Sequence, residues 1–358
     1  MPLLNFPNEI LLLVGDLIED ACDVNALLRV NRRLHSLLTP RLHKLALEPK
    51  PGPVLPLCWA VWRGHKPLIR LLLDNGQKVE DRDPSGETAL HYALNFQIHE
   101  QPSSTILSFL LNETKQPNTL TSDGTSPLHR AVVASAIAPA LLLLNSGADV
   151  NQQEESGDTP LARAVEFNLL EMSALLLSHG ANPNIPNRDG FPALSIAIRA
   201  GFIAAAKLLL EHGADPSLLS PGDGQTPLHQ AVTIPNDELV CLLLAHDPTI
   251  VDTPNVHGHT PLDYSIMLGC PGAARALLDS GADMNAVDSQ GDTVLHRALN
   301  LCPRRSEMIR LLVEAGADFC SARNARGQTA LEVATAGGYS WVLETCKEFI
   351  DGRMPSKL

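Results

Sequence analysis

The sequence predicts an all-α solenoid: about nine stacked helix–turn–helix units joined by hairpin loops, preceded by a small three-helix segment. Three observations lead there. Of 358 residues, 44% are hydrophobic but only 4% are aromatic, so the core is built from leucine and alanine. One stretch of text returns at steps close to 33 residues. A second marker, a leucine-rich run ending in glycine, returns in phase with the first.

The chain opens with MPLLNFPNEILLLVGDLIED. The apolar run is bracketed by Glu9 and Asp16, and no Lys or Arg precedes Arg29, so a secretion signal is not expected. A membrane span needs about 20 apolar residues, far more than this run supplies. Residues 1–47 read as three short helices. The first starts near Pro7, with Asn8 and Glu9 suited to a helix start, and repeats apolar residues at Ile10, Leu11, Leu13, Val14 and Leu17. Asp23 is placed to cap a second helix, and Leu34, Leu37, Leu38 and Leu42 mark a third, bent or broken at Pro40. FPNEIL (6–11), DVNAL (23–27) and VNRRLHSLLTPRLHKL (30–45) together resemble an F-box, with Phe6 in place of the more usual leucine. An F-box opening followed by repeats of the kind described next looks like a known fungal arrangement. The resemblance implies docking to a Skp-type adaptor of a cullin–RING ubiquitin ligase, with Pro7, Ile10, Leu11, Val14, Leu27 and Leu34 as contacts. The other reading is a cap: about 45 residues of helix cannot bury their own leucines, and a repeat array needs its ends covered. A Pro-rich linker, 48–55, follows.

The array is expected over 56–350, before a tail at 351–358. LPLCWA (55–60) is a weak first copy. TALHYA (88–93), SPLHRA (126–131), TPLARA (159–164), PALSIA (192–197), TPLHQA (226–231), TPLDYS (260–265), TVLHRA (293–298) and TALEVA (329–334) follow. Thr or Ser caps the first helix of most units, and Pro, where present, fits its first turn, where a missing N–H costs nothing. The second helix carries the leucines and stops at Gly147, Gly180, Gly213, Gly281 or Gly316, often in a GAD-x-N text. One unit cannot cover its own apolar faces, so units must stack. This text resembles the ankyrin repeat over nearly all of residues 51–350. Three departures stand out: extra residues within 95–105, a shorter excess near LNLCPRRSE, and HDPTIVD in place of the sixth GAD turn.

The net charge is −13 and residues 1–50 are balanced, so all of the acidic surplus lies in the array. Direct nucleic-acid binding is disfavoured. The seven cysteines have irregular spacing and no C-x-x-C, against a disulfide framework or zinc site, and fit a cytoplasmic or nuclear setting. No phosphate loop, dinucleotide fingerprint, nucleophile elbow or H-E-x-x-H text occurs, so neither catalysis nor a cofactor is expected. Seven of the thirteen histidines are locked in repeat slots: His91, His129, His229 and His296 in one, His179, His212 and His246 in another. His257-Gly258-His259 offers only two metal ligands.

The ankyrin resemblance implies that partners meet hairpin tips and the solvent side of the first helices. Those slots hold Phe96, Glu166, Phe167, Arg188, Phe191, Arg199, His257, His259 and Met267. Phe96, Phe167, Phe191 and Met267 are apolar where the frame asks for nothing apolar. They read either as anchors of a binding patch or as packing on neighbouring loops. The expected role is recognition, with the array holding a ligase substrate and the N-terminal helices the adaptor. The alternative is a scaffold or transcription coregulator with no ligase role.

Overall fold

A computed structural model of the chain describes residues 55–344, apart from 65, 96–103, 115, 289, 302–305 and 343. The three predicted N-terminal helices, the linker and the tail lie outside these residues, as does most of the second-unit insertion. The chain divides into two compact units, 1–155 and 156–358.

In the first unit, three helix pairs follow one another: α1 (Pro56–Trp62) with α2 (Lys66–Asp74), α3 (Ala89–Ala93) with α4 (Ser104–Glu113), and α5 (Pro127–Val133) with α6 (Ile137–Asn145). The first helices α1, α3 and α5 pack in one layer, and α4 packs on α6 in a second. Leu57, Leu68, Leu72, Leu90, Leu107, Leu110 and Leu143 are each at most 1% exposed between the layers.

The second unit continues the same grammar. Its first helices are α7 (Pro160–Glu166), α9 (Ala193–Arg199), α11 (Pro227–Val232), α13 (Pro261–Leu268), α15 (Val294–Asn300) and α17 (Ala330–Ala336). Its second helices are α8 (Leu170–Ser178), α10 (Ile203–Glu211), α12 (Glu238–His246), α14 (Pro271–Asp279) and α16 (Ser306–Glu314). Each layer again packs on its own successors. Leucines of the second helices, such as Leu176, Leu209, Leu243 and Leu277, are fully buried. Truncating one of them to alanine costs about 2–5 kcal/mol.

The local rules hold at the helix ends. The side chains of Ser126, Thr159, Thr226, Thr260, Thr293 and Thr329 each accept from the backbone N–H three residues on. At the far end, Gly147, Gly180, Gly213 and Gly281 have φ between +83° and +87°. A Cβ there would meet nothing within 4 Å, so glycine is required by backbone conformation and not by space. The sixth unit departs as its sequence does. Pro248–Ile250 forms a 3-10 turn, capped by the Asp247 carboxylate on the Thr249 N–H at 2.9 Å, with Ile250 buried in place of the GAD alanine.

Among the described residues the hairpins carry no strand, only the isolated bridges Val287–Thr293 and Arg323–Thr329. They stack through single backbone bonds. In the first unit these are Ser122 N to Ser85 O (3.0 Å) and Glu155 N to Asp123 O (2.8 Å). In the second they are Arg188 N to Ser156 O (2.9 Å), Val256 N to Asp223 O (3.1 Å) and Ala325 N to Gln290 O (3.1 Å). Gly157 shows why the contact is tight: a Cβ there would lie 2.4 Å from the Arg188 nitrogen, and φ is +79°.

Candidate functional site

The histidine ladder accounts for the first group of titratable residues. In each Thr-x-x-His box the capping residue's backbone N–H donates to histidine Nδ1: at 3.1 Å in His91, and at 3.3 Å in His129, His229 and His296. Nε2–H also donates onward to the carbonyl of the next repeat, from His91 to Thr125 (3.2 Å), from His229 to His259 (2.9 Å) and from His296 to Gln328 (3.0 Å). This geometry needs a neutral ring with its proton on Nε2. Burial holds His91 down at about 4 and lowers His229 as well. These histidines are struts between repeats. His179 and His212, in the other slot, donate from Nδ1 to the Leu175 and Leu208 carbonyls at 2.9 Å, closing the last turns of α8 and α10.

The ladder has gaps. Ala162 fills the box position in α7, and Pro192 with Ser195 replaces the whole pair in α9. The Ser195 hydroxyl is buried and has no hydrogen-bond partner. In α13 the position is Asp263, whose Oδ2 accepts from the Thr260 N–H at 3.0 Å.

Asp263 sits in a buried charge cluster that sequence reasoning missed. Arg297 of α15, 9% exposed, ion-pairs with Asp288 through Nη2. Its Nη1 lies 2.6 Å from His259 Nδ1, 3.3 Å from His259 Nε2 and 3.6 Å from the Met267 sulfur. Its Nε lies 3.6 Å from Asp263 Oδ1, and neither atom has a hydrogen-bond partner. Burial raises the Asp263 carboxyl above its usual range, against the opposing pull of Arg297. Burial and then Arg297 lower His259. The only signal in the sequence is an acid where the box asks for histidine.

The structure places the remaining candidates individually. Phe167, just after α7, is 52% exposed, and Glu166 beside it pairs with Arg163 at 2.8 Å. Phe191 is half-buried, with the Arg199 guanidinium 4.5 Å above its ring. Arg188 is exposed at a hairpin tip. His257 is exposed, 4.0 Å from Asp223, with its ring 6.1 Å from the half-buried His259. Met267 is half-buried against Arg297. Phe96 lies outside the described residues, as do all six adaptor candidates: Pro7, Ile10, Leu11, Val14, Leu27 and Leu34.

One column runs through the second unit. The residue six places after each box leucine is Phe167, Ala200, Ile234, Leu268 and then Leu301. Phe167, Leu268 and Leu301 are 52%, 45% and 38% exposed, Ala200 is exposed and Ile234 half-buried. These five positions belong to consecutive repeats whose first helices pack side by side. A polar groove of about 460 Å³, with Asn300, Gln290 and Arg326 on its walls, opens between α15 and α17. Among the described residues no group of three or more His, Cys, Asp and Glu could hold a metal ion, and no helix is long and apolar enough to cross a membrane.

A family model described as "Ankyrin repeats (3 copies)" matches residues 57–154, 139–220 and 215–288. Ankyrin repeat and SOCS box protein 6 of Pongo abelii is 39% identical over 101 residues, covering 26% of this chain and 23% of that protein. E3 ubiquitin-protein ligase KEG of Arabidopsis thaliana is 30% identical over 131 residues, covering 35% of this chain and 8% of that protein. The chain therefore spans only a small part of either relative. Among solved structures, the ankyrin repeat domain of Bcl-3, described as "a unique member of the IkappaB protein family", matches with a TM-score of 0.57 and 29% identity. That match covers 62% of this chain and all of the other.

Proposed function

The chain belongs to the ankyrin-repeat family, and from that premise we propose that it is a non-catalytic recognition subunit of a ubiquitin ligase. In this reading the repeats hold a protein substrate along the first-helix face, and the N-terminal segment holds a Skp-type adaptor of a cullin–RING assembly. The observation that carries the recognition role is the exposed apolar column from Phe167 to Leu301. Three of its five side chains are large hydrophobics more than a third exposed, the kind of patch that marks a protein-binding surface on a soluble fold. Ligase context is supported by the F-box-like text at 6–45 and by two relatives named for a SOCS box and an E3 ligase. The chain would then supply proximity, raising the local concentration of substrate beside partners that do the chemistry.

The test is a pull-down of the purified full-length chain with a Skp adaptor, comparing wild type with the Ile10→Asp, Leu11→Asp double variant. Binding by wild type and its loss in the double variant, at unchanged Tm, is the expected result. No binding by wild type refutes the ligase role. A second reading, an ankyrin scaffold or transcription coregulator, is favoured by the match to the whole Bcl-3 repeat domain. Under it the double variant keeps full function, while Phe167→Asp with Leu268→Asp loses it.

A further inference from the structure

We propose that His259 is an acid-sensitive latch that holds the Asn255–His259 hairpin onto three successive repeats and releases it when its ring takes a proton. The residue joins those repeats by two separate bonds. Its backbone carbonyl accepts from His229 of α11 at 2.9 Å. Its Nδ1 lies 2.6 Å, and its Nε2 3.3 Å, from Arg297 Nη1 of α15. Its own backbone N–H donates to Asn255 Oδ1 at 3.0 Å, closing the hairpin that leads into α13.

The latch works only while the ring is neutral. A proton from solvent leaves an N–H on both ring nitrogens, so neither can accept from Arg297, and sets a second cation against the guanidinium. Other charged groups surround this contact. Asp288 already pairs with Arg297, and Asp263 faces the same guanidinium from α13. His257 lies 6.1 Å away, ring to ring, and itself faces Asp223. His229 stands behind the carbonyl, its ring edge-on to Tyr264 at 5.7 Å. Asp288 and Asp263 favour a cation at His259, while Arg297 and His257 oppose one. Burial and then Arg297 outweigh the acids, so the closed hairpin disfavours the proton and the protonated ring favours the open one. Opening would also uncover Met267, which packs against Arg297 at 3.6 Å. The surface offered to a partner would thereby change with pH.

Hydrogen exchange on the full-length protein tests this, with protection normalised to intrinsic rates from about pH 7.5 to about pH 5, the range in which histidine titrates. Wild type should lose protection over 253–268 at a higher pH than over α10. His259→Gln keeps an acceptor for Arg297 and cannot be protonated, so the difference between the two segments should vanish. His257→Gln should behave as wild type. No difference in wild type overturns the latch, and so does a difference that survives in His259→Gln, which would move the effect to His229 or Asp263. If His259→Gln does not fold, the wild-type NMR titration decides: the His259 ring carbon and the Arg297 guanidinium signals must share one midpoint, and separate midpoints overturn the proposal.

Discussion

Lowering the pH should weaken the first unit through His91, and the amount can be worked from the structure. The ring is fully buried, accepts from Thr88 and donates to Thr125. Burial holds it at about 4 when folded, against an ordinary value of 6.5. The folded value is the depressed one, so below 6.5 the unfolded chain takes a proton that the native chain refuses. Stability is therefore complete above 6.5 and drains away as the pH falls towards about 4. At about 1.4 kcal/mol per unit, that gap amounts to about 3 kcal/mol. Carboxylates titrate over the lower part of the same range, so the measurement must be a difference. Urea unfolding of wild type and His91→Gln at several pH values isolates the histidine. The variant is expected to start about 2 kcal/mol less stable at neutral pH, from the lost box and strut. The two stabilities should then converge as the pH falls and cross before about 4, because wild type loses about 3 kcal/mol against a lead of about 2. Parallel curves between 6.5 and 4 would refute the assignment of a neutral, proton-refusing strut.

Three further outcomes follow from named contacts. Restoring the missing box in α9 with Pro192→Thr and Ser195→His together should raise stability by about 1 kcal/mol, read as a higher Tm; the Gln225 carbonyl already accepts from Ser220, as Thr125 does from Thr121 while also receiving His91. Gly180→Ala should cost about 1 kcal/mol, because only its backbone conformation is strained, whereas Gly157→Ala should cost more in the same urea titration, since its Cβ also meets the Arg188 backbone. Arg297→Gln should destabilise by about 3–5 kcal/mol in thermal or urea unfolding, because Asp263 and Asp288 would lose their cation while remaining buried.

The repeat architecture was legible because its determinants are local and recur in register. A capping Thr or Ser, a first-turn Pro, a leucine run and a terminal Gly each act within a few residues, and nine copies average out the exceptions. The His slot was legible as structural for the same reason. The Arg297 cluster was not. Its other members lie 9 to 38 residues from Arg297 in the chain and meet it only when two repeats stack, and Asp263 reads in isolation as a drifted box. Among the candidate partner residues, Phe167 stands exposed while Phe191 is spent partly on Arg199 and Met267 on Arg297. The residue types alone do not distinguish these fates: Phe191 meets a residue eight places on in its own repeat, and Met267 one in the next repeat.

The two consecutive gaps in the histidine ladder have a mechanical consequence. In a linear array each joint carries its own coupling, and the array gives first at its softest joints. Within the second unit, the joints following α7 and α9 lack the imidazole strut that braces those following α11 and α15. A pull or a wedging ligand would concentrate its strain there, much as a chain bends at its loosest link. Phe167, Phe191 and Arg199 sit at those joints, so the part of the spine that yields most readily is also the part that presents them.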